Sequence, residues 1–137
     1  MTIQAHADAV LGLLVPAAVT VPVLDGFVKP GTVRPYLLVY MYLETPDGLE
    51  APDAVSLNFD SDVVNFWIYC HCVGDDAKAA RAVSAQARLA LLNVTPVVGT
   101  RSCFPIRNRP GSPPRRDEET GPLVMDQVDV YTFRSIP

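Results

Sequence analysis

Apolar and polar positions repeat with two different periods along this chain, and each change of period marks a structural element. From Thr2 to Val15 the apolar residues Ile3, Ala7, Val10, Leu11 and Leu14 follow the i, i+4, i+7, i+8, i+11 spacing of one helical face. Thr2 supplies an N-cap hydroxyl, and Pro16 stops the helix because it cannot donate to the turn before it. Val19 to Leu24 is apolar and β-branched, with Asp25-Gly26 as a following turn. Pro22 cannot contribute to a ladder, which assigns this run to a sheet edge or a bulge. Lys29-Pro30-Gly31 is a second turn signal.

Pro35 to Leu43 is almost wholly apolar and rich in Tyr and Val, the pattern of a central strand covered on both faces. The stretch from Glu44 to Asp53 holds Pro46, Pro52, Gly48 and several acids, and reads as a polar loop tolerant of substitution. Asn65 to Val73 is a third strand. Gly74-Asp75-Asp76 breaks it, with Asp75 placed to cap the next helix and Asp76 to complement its dipole. That helix, Ala77 to Leu92, is alanine-rich and lines one face with Ala80, Val83, Ala87, Ala90 and Leu91. Arg101 to Arg107 predicts a short strand with Phe104 and Ile106 on one face, and Pro105 demotes it to an edge. Residues 108–122 predict a long flexible loop too poor in apolar residues to order itself. Leu123 to Phe133 closes the chain as a strand. The order α–β–β–β–α–β–β predicts an α+β fold over residues 1–137: a mixed or antiparallel sheet of about five strands with both helices on one face.

Composition adds an expectation about partners. A chain of 137 residues has room for one real core. Hydrophobic residues make up 49% and charged residues 19%, with mean hydropathy +0.19. Soluble domains carry roughly a quarter charged residues, so the shortfall predicts further burial at subunit contacts. The net charge of −4 argues against a free-standing nucleic-acid binder, which would show a basic excess. The first basic residue is Lys29, so the positively charged start of a signal peptide is not expected. Gly12, Pro16, Thr20 and Pro22 interrupt the apolar run from Ala9 to Leu24, which falls short of the roughly 20 residues a membrane span needs. The expectation is a protein made in the cytoplasm with no membrane partner.

Candidate chemistry changes little. Cys70, His71 and Cys72 fall on the third strand, which sends the two thiols to one face and the imidazole to the other. Zinc needs four converging ligands, so this triplet predicts no metal site and no cofactor. With Cys103 the thiol count is odd and fits no disulfide framework. Only His6 and His71 offer a base, and Ser56, Ser61 and Ser84 sit in no nucleophile elbow, so no catalytic residue is assigned. The acids Asp47, Glu50, Asp53, Asp60 and Asp62 do not match a calcium loop and read as a solvated acidic face.

One charge pattern remains. Arg101, Arg107, Arg109, Arg115 and Arg116 crowd into a short stretch, and Asp117, Glu118 and Glu119 follow directly. Three readings stay open: phosphate contact with passing DNA, a self-compensating mobile loop, or an arm whose two signs pair with a neighbouring subunit. Arg107, Arg109, Arg115, Arg116, Asp117, Glu118 and Glu119 are the expected interface residues, together with the N-terminal helix.

Taken together, the strand ending Val23-Leu24-Asp25-Gly26, the run Arg34-Pro35-Tyr36-Leu37-Leu38-Val39-Tyr40, the aromatic strand Asn65-Phe66-Trp67-Ile68-Tyr69 and the alanine-rich helix opened by Gly74-Asp75-Asp76 form a recognisable series. The chain resembles the tail-terminator and tail-completion proteins of long-tailed phages, the head–tail joining proteins included, over nearly its whole length. The resemblance implies a virion protein that forms a homo-oligomeric ring, usually a hexamer, at the head-proximal end of the tail. There it would end tail-tube polymerisation and present a surface to the connector and neck proteins, with DNA passing through the lumen without specific binding. A neck joining protein of the same fold is the alternative. A different class is a small ligand-binding α+β domain using the aromatic face of Tyr36–Tyr42 and Trp67 as a pocket.

Overall fold

Alternation of buried and half-buried residues from Val64 to Cys72 builds the centre of the molecule. Phe66, Ile68, Cys70 and Cys72 are fully buried on one face, while Asn65, Trp67, Tyr69 and His71 lie half-buried on the other. A computed structural model of the protein describes residues 2–44, 63–116 and 124–137. In chain order the elements are α1 (Thr2–Leu13), β1 (Val23–Asp25), β2 (Tyr36–Glu44), β3 (Val64–Gly74), α2 (Ala77–Leu91), β4 (Ser102–Cys103), β5 (Arg107–Arg116) and β6 (Met125–Ile136).

The strands form one mixed sheet in the order β1-β2-β3-β6-β4, with β5 also pairing to β6. Among the described strands only β1 and β2 run parallel. β3 is the hub: Cys70 sits opposite Val39 of β2 and Asp129 of β6, so residues at these levels share a face across three strands. Both helices pack on the Phe66 face, as the sequence predicts. α1 contributes Ala7 and Val10 to the core, Leu14 just past its end joins them, and α2 contributes Ala80, Val83, Ala87 and Leu91. Small alanine side chains let α2 lie close to the sheet. Gly74 is part of that fit, because a β-carbon there would stand 2.6 Å from Ala79 Cβ and 2.8 Å from the Ala80 amide nitrogen. His6, a fully buried residue of α1, has its ring 5.5 Å from Phe66 and 6.0 Å from Phe133.

Several expectations are corrected. The loop expected over residues 108–122 is, through Arg116, a ten-residue strand paired to β6, and residues 117–122 lie outside the described residues. Pro110, Pro113 and Pro114 are accommodated because β5 is an edge strand whose ladder slips between Arg109 and Ser112 and again between Ser112 and Arg115. Asp76, not Asp75, caps α2 and accepts from the Ala79 amide at 2.7 Å. Asp75 instead pairs with Arg34 at 2.6 Å. β2 is not covered on both faces: Leu37 and Val39 face the core, but Tyr40 and Tyr42 are each 43% exposed on the face away from the helices. Phe104 and Ile106 do not share a face. Ile106 is buried and bonded to the segment after α2, whereas Phe104 is half-exposed. The first helix ends at Leu13, short of Val15, and the residues after it form a turn in which the Ala18 and Val19 amides both donate to the Val15 carbonyl.

Candidate functional site

With both helices on one side, the other side of the sheet is left to its own side chains. Reading across the strands at successive levels, this face carries Tyr40 and Tyr42 from β2, Trp67, Tyr69 and His71 from β3, and Val128, Val130 and Thr132 from β6. The aromatic rings organise one another. Tyr42 stacks on Trp67 at 6.3 Å and on Tyr69 at 5.9 Å, and Tyr40 meets His71 edge-on at 5.4 Å. Its hydrogen bond with Tyr69, with smaller contributions from burial and nearby negative charge, pushes the Tyr42 phenol up to about 12. Tyr42 therefore stays neutral at any physiological pH. His71 Nδ1 lies 2.9 Å from Asp126 Oδ2 at the far end of the face.

Next to the aromatic row the chain makes a groove of about 280 Å³. Trp67, Phe104 and Pro105 form its apolar walls, and Arg107, Arg109 and Arg134 rim it. Register explains the convergence, since Arg107 pairs with Thr132, Arg109 with Val130 and Arg134 with Asn65. Arg107 donates to Asn93 at 2.8 Å and Arg134 to Asn65 at 3.3 Å, so two guanidiniums are held by neutral amides. Among the described residues the one Arg or Lys ion pair is Arg34–Asp75, Asp126 is taken by His71, and no carboxylate reaches these three arginines. Glu44 accepts a hydrogen bond from the Trp67 indole and fixes that ring at the groove's edge.

The expected arginine cluster is thus divided. Arg107 and Arg109 reach the groove; Arg115 and Arg116 lie opposite Asp126 and Met125, toward the other end of β6. Arg101 turns inward and donates to Ser135. Asp117, Glu118 and Glu119 lie outside the described residues. α1 buries its apolar face in the core and leaves Ile3, Gln4 and Asp8 outward. Trp67, which the sequence offers only as part of an aromatic pocket, and Arg134 lie far from the cluster in sequence and are not among the expected interface residues. Only the strand register brings them there.

On the helix side, Cys70 and Cys72 point into the core, and His71 points away from them. Burial, with Asp129 nearby, pushes the Cys70 thiol up to about 12, and the same causes push Cys72 up further. A thiol that cannot ionise is a poor nucleophile and a poor metal ligand. Cys103 on the short β4 is only half-buried. Accordingly, a native-state titration with Ellman's reagent should modify Cys103 first and reach Cys70 and Cys72 only on unfolding. Three equally fast thiols would show that α2 does not seal the sheet. Ser84 donates to Asp129, and Gln127 Nε2 bonds both at 2.9 and 3.1 Å, a polar network with no histidine in it. No group of three or more candidate metal ligands occurs among the described residues, and none of the described helices is long and apolar enough to cross a membrane.

No family model matches the chain, and no curated protein sequence matches it either. Its fold does have solved counterparts. A chain in the virion of a native gene transfer agent particle is similar at TM-score 0.72, with 17% sequence identity over 98% of this chain and 96% of that one. A second solved structure matches at TM-score 0.68, with the same identity and the same coverage.

Proposed function

We propose that this chain is a structural virion protein of the tailed-phage kind, and that it forms a ring at the head-proximal end of the tail. The observation that carries the reading is end-to-end similarity of fold with a chain in the virion of a gene transfer agent particle. In the proposed role the subunit joins copies of itself in a closed ring, usually a hexamer, stops growth of the tail tube, and offers a surface to the connector or neck. Its work is done by surface complementarity, so the reading assigns it no catalytic residue and no cofactor. The lumen passes DNA without specific binding.

The surface suits such a part. A sheet face of Tyr, Trp and Arg has the side chains that dominate stable protein interfaces. Apolar side chains also stand in water, with Val33 at 76%, Leu89 at 86% and Val97 at 83% exposure. A ring subunit meets a neighbour on each of two sides, and exposed apolar side chains of this kind can be buried in such heterologous contacts.

A phage carrying an early stop codon in this gene tests the proposal by electron microscopy. Tails of uncontrolled length are the expected result. Normal-length tails lying free beside filled heads would instead make the chain a neck joining protein of the same fold. Intact infectious virions would remove both roles.

A further inference from the structure

The charge of the chain is very unevenly distributed. Arg101, Arg107, Arg109, Arg115, Arg116 and Arg134 account for six of its 11 basic residues, and no acid lies between Arg101 and Arg116. Everything else therefore holds five cations against all 15 acids. Residues 44–62 are the acidic extreme, with Glu44, Asp47, Glu50, Asp53, Asp60 and Asp62 and not one Lys or Arg. Against this stands the groove, where Arg107, Arg109 and Arg134 have no carboxylate partner among the described residues and flank the apolar walls of Trp67 and Phe104. Arginines held by Asn93 and Asn65 are pre-organised donors, and pre-organised guanidiniums bind carboxylates in pairs of parallel hydrogen bonds. The segment also offers apolar side chains to the walls, Leu49 and Phe59 among them.

We infer that the arginine-rimmed groove of one subunit is the docking site for the acidic segment 44–62 of a second copy. The inference rests on the ring reading and supplies one of its contacts. A groove on one copy that receives a segment from another is a head-to-tail arrangement, which propagates around a ring rather than closing on a pair. Charge complementarity selects the partner. The whole chain is acidic at −4, which disfavours a polyphosphate, while a neighbour presents a run of carboxylates at the same concentration as the groove itself.

The chain has a single tryptophan, and it lines the groove, so Trp67 fluorescence reports occupancy directly. A synthetic peptide of residues 44–62, which contains no tryptophan, should shift the emission saturably, and a peptide with its acids replaced by amides should not. Arg109→Glu with Arg134→Glu should weaken the peptide by about tenfold or more, and Arg109→Ala by less, both with unchanged circular dichroism. In the full chain the same Arg→Glu pair should shift assembled protein toward monomer. Adding Asp47→Lys, Glu50→Lys and Asp53→Lys to it should restore assembly. Absence of any peptide effect, including the case in which a chain's own segment already fills its groove, overturns the inference. So does equal binding to the Arg→Glu variant. A short single-stranded oligonucleotide that displaces the peptide at about 0.15 M salt would overturn it in favour of phosphate binding. Peptide binding alongside normal tails in the stop-codon phage would fail the ring reading and leave the contact between copies standing.

Discussion

Replacing Phe66 by alanine is expected to cost about 3–5 kcal/mol of folding stability, the usual range for removing a fully buried phenyl ring. The size follows from where the ring lies. Phe66 is on β3, which pairs with β2 on one side and β6 on the other, so the backbone around it cannot collapse into the space left behind. Its ring is 5.5 Å from both the His6 ring and the Phe133 ring, and so couples α1 to β3 and β6 on the helix-covered face. Natural domains hold only about 5–15 kcal/mol in total, so this one substitution removes a large share of the margin. Urea unfolding should show a much lower midpoint, and thermal unfolding a fall of about 10 °C or more. Phe66→Leu should cost much less because it keeps most of the volume. Leu89→Ala, at an 86%-exposed position on α2, should fall within about 0.5 kcal/mol of the natural chain. An unchanged midpoint for Phe66→Ala would mean that the His6–Phe66–Phe133 stack is not the centre of the core.

This centre is also the part of the molecule that the sequence states most openly. β3 is read correctly as a strand over Asn65–Val73 ended by Gly74-Asp75-Asp76, one residue short at each end, and the structure adds that every second residue from Val64 to Cys72 is buried on the helix side. The face of α2 is read correctly because alanine and valine recur at helical spacing, and Ala80, Val83, Ala87 and Leu91 are the residues found buried. What the pattern hides is edge structure and long-range register. The proline-rich stretch after Arg107 carries no strand signal of its own. Its order comes from β6, a neighbour already held by β3, and the two ladder slips absorb the prolines. Local chemistry also misassigns Asp75 and Asp76, since either acid can cap α2. Arg34, 41 residues earlier, engages Asp75, and Asp76 is the acid that caps. Tyr40 and Tyr42 read as core in a run of apolar residues. They lie in water because both helices chose the opposite face. The groove is the clearest case: Arg107 and Arg109 stand out in the sequence, but Trp67 and Arg134 join them only through the pairing of β3, β5 and β6.

That dependence makes Gly111 the position where a single methyl group should undo the groove without unfolding the protein. A β-carbon on Gly111 would sit 2.1 Å from the Val128 carbonyl oxygen and 3.2 Å from Asp129 Cα, both of them backbone atoms. Neither strand can yield by turning a side chain. β6 is fixed by its pairing with β3 from Met125 to Ser135, so β5 is the strand that must move. Gly111→Ala is therefore expected to cost about 1–3 kcal/mol, the range for forcing extra atoms into a packed site. The distribution of the damage matters more than its size. Amides of β5 should lose their protection from hydrogen exchange while those of β3 keep theirs, because the strand is released from an edge and the core stays intact. Arg107 and Arg109 ride on β5, so the 44–62 peptide should bind the variant more weakly even though every arginine is still present. Full protection in β5, with peptide binding unchanged, would show that the strand does not need this close approach, and that the groove is not assembled by the pairing described.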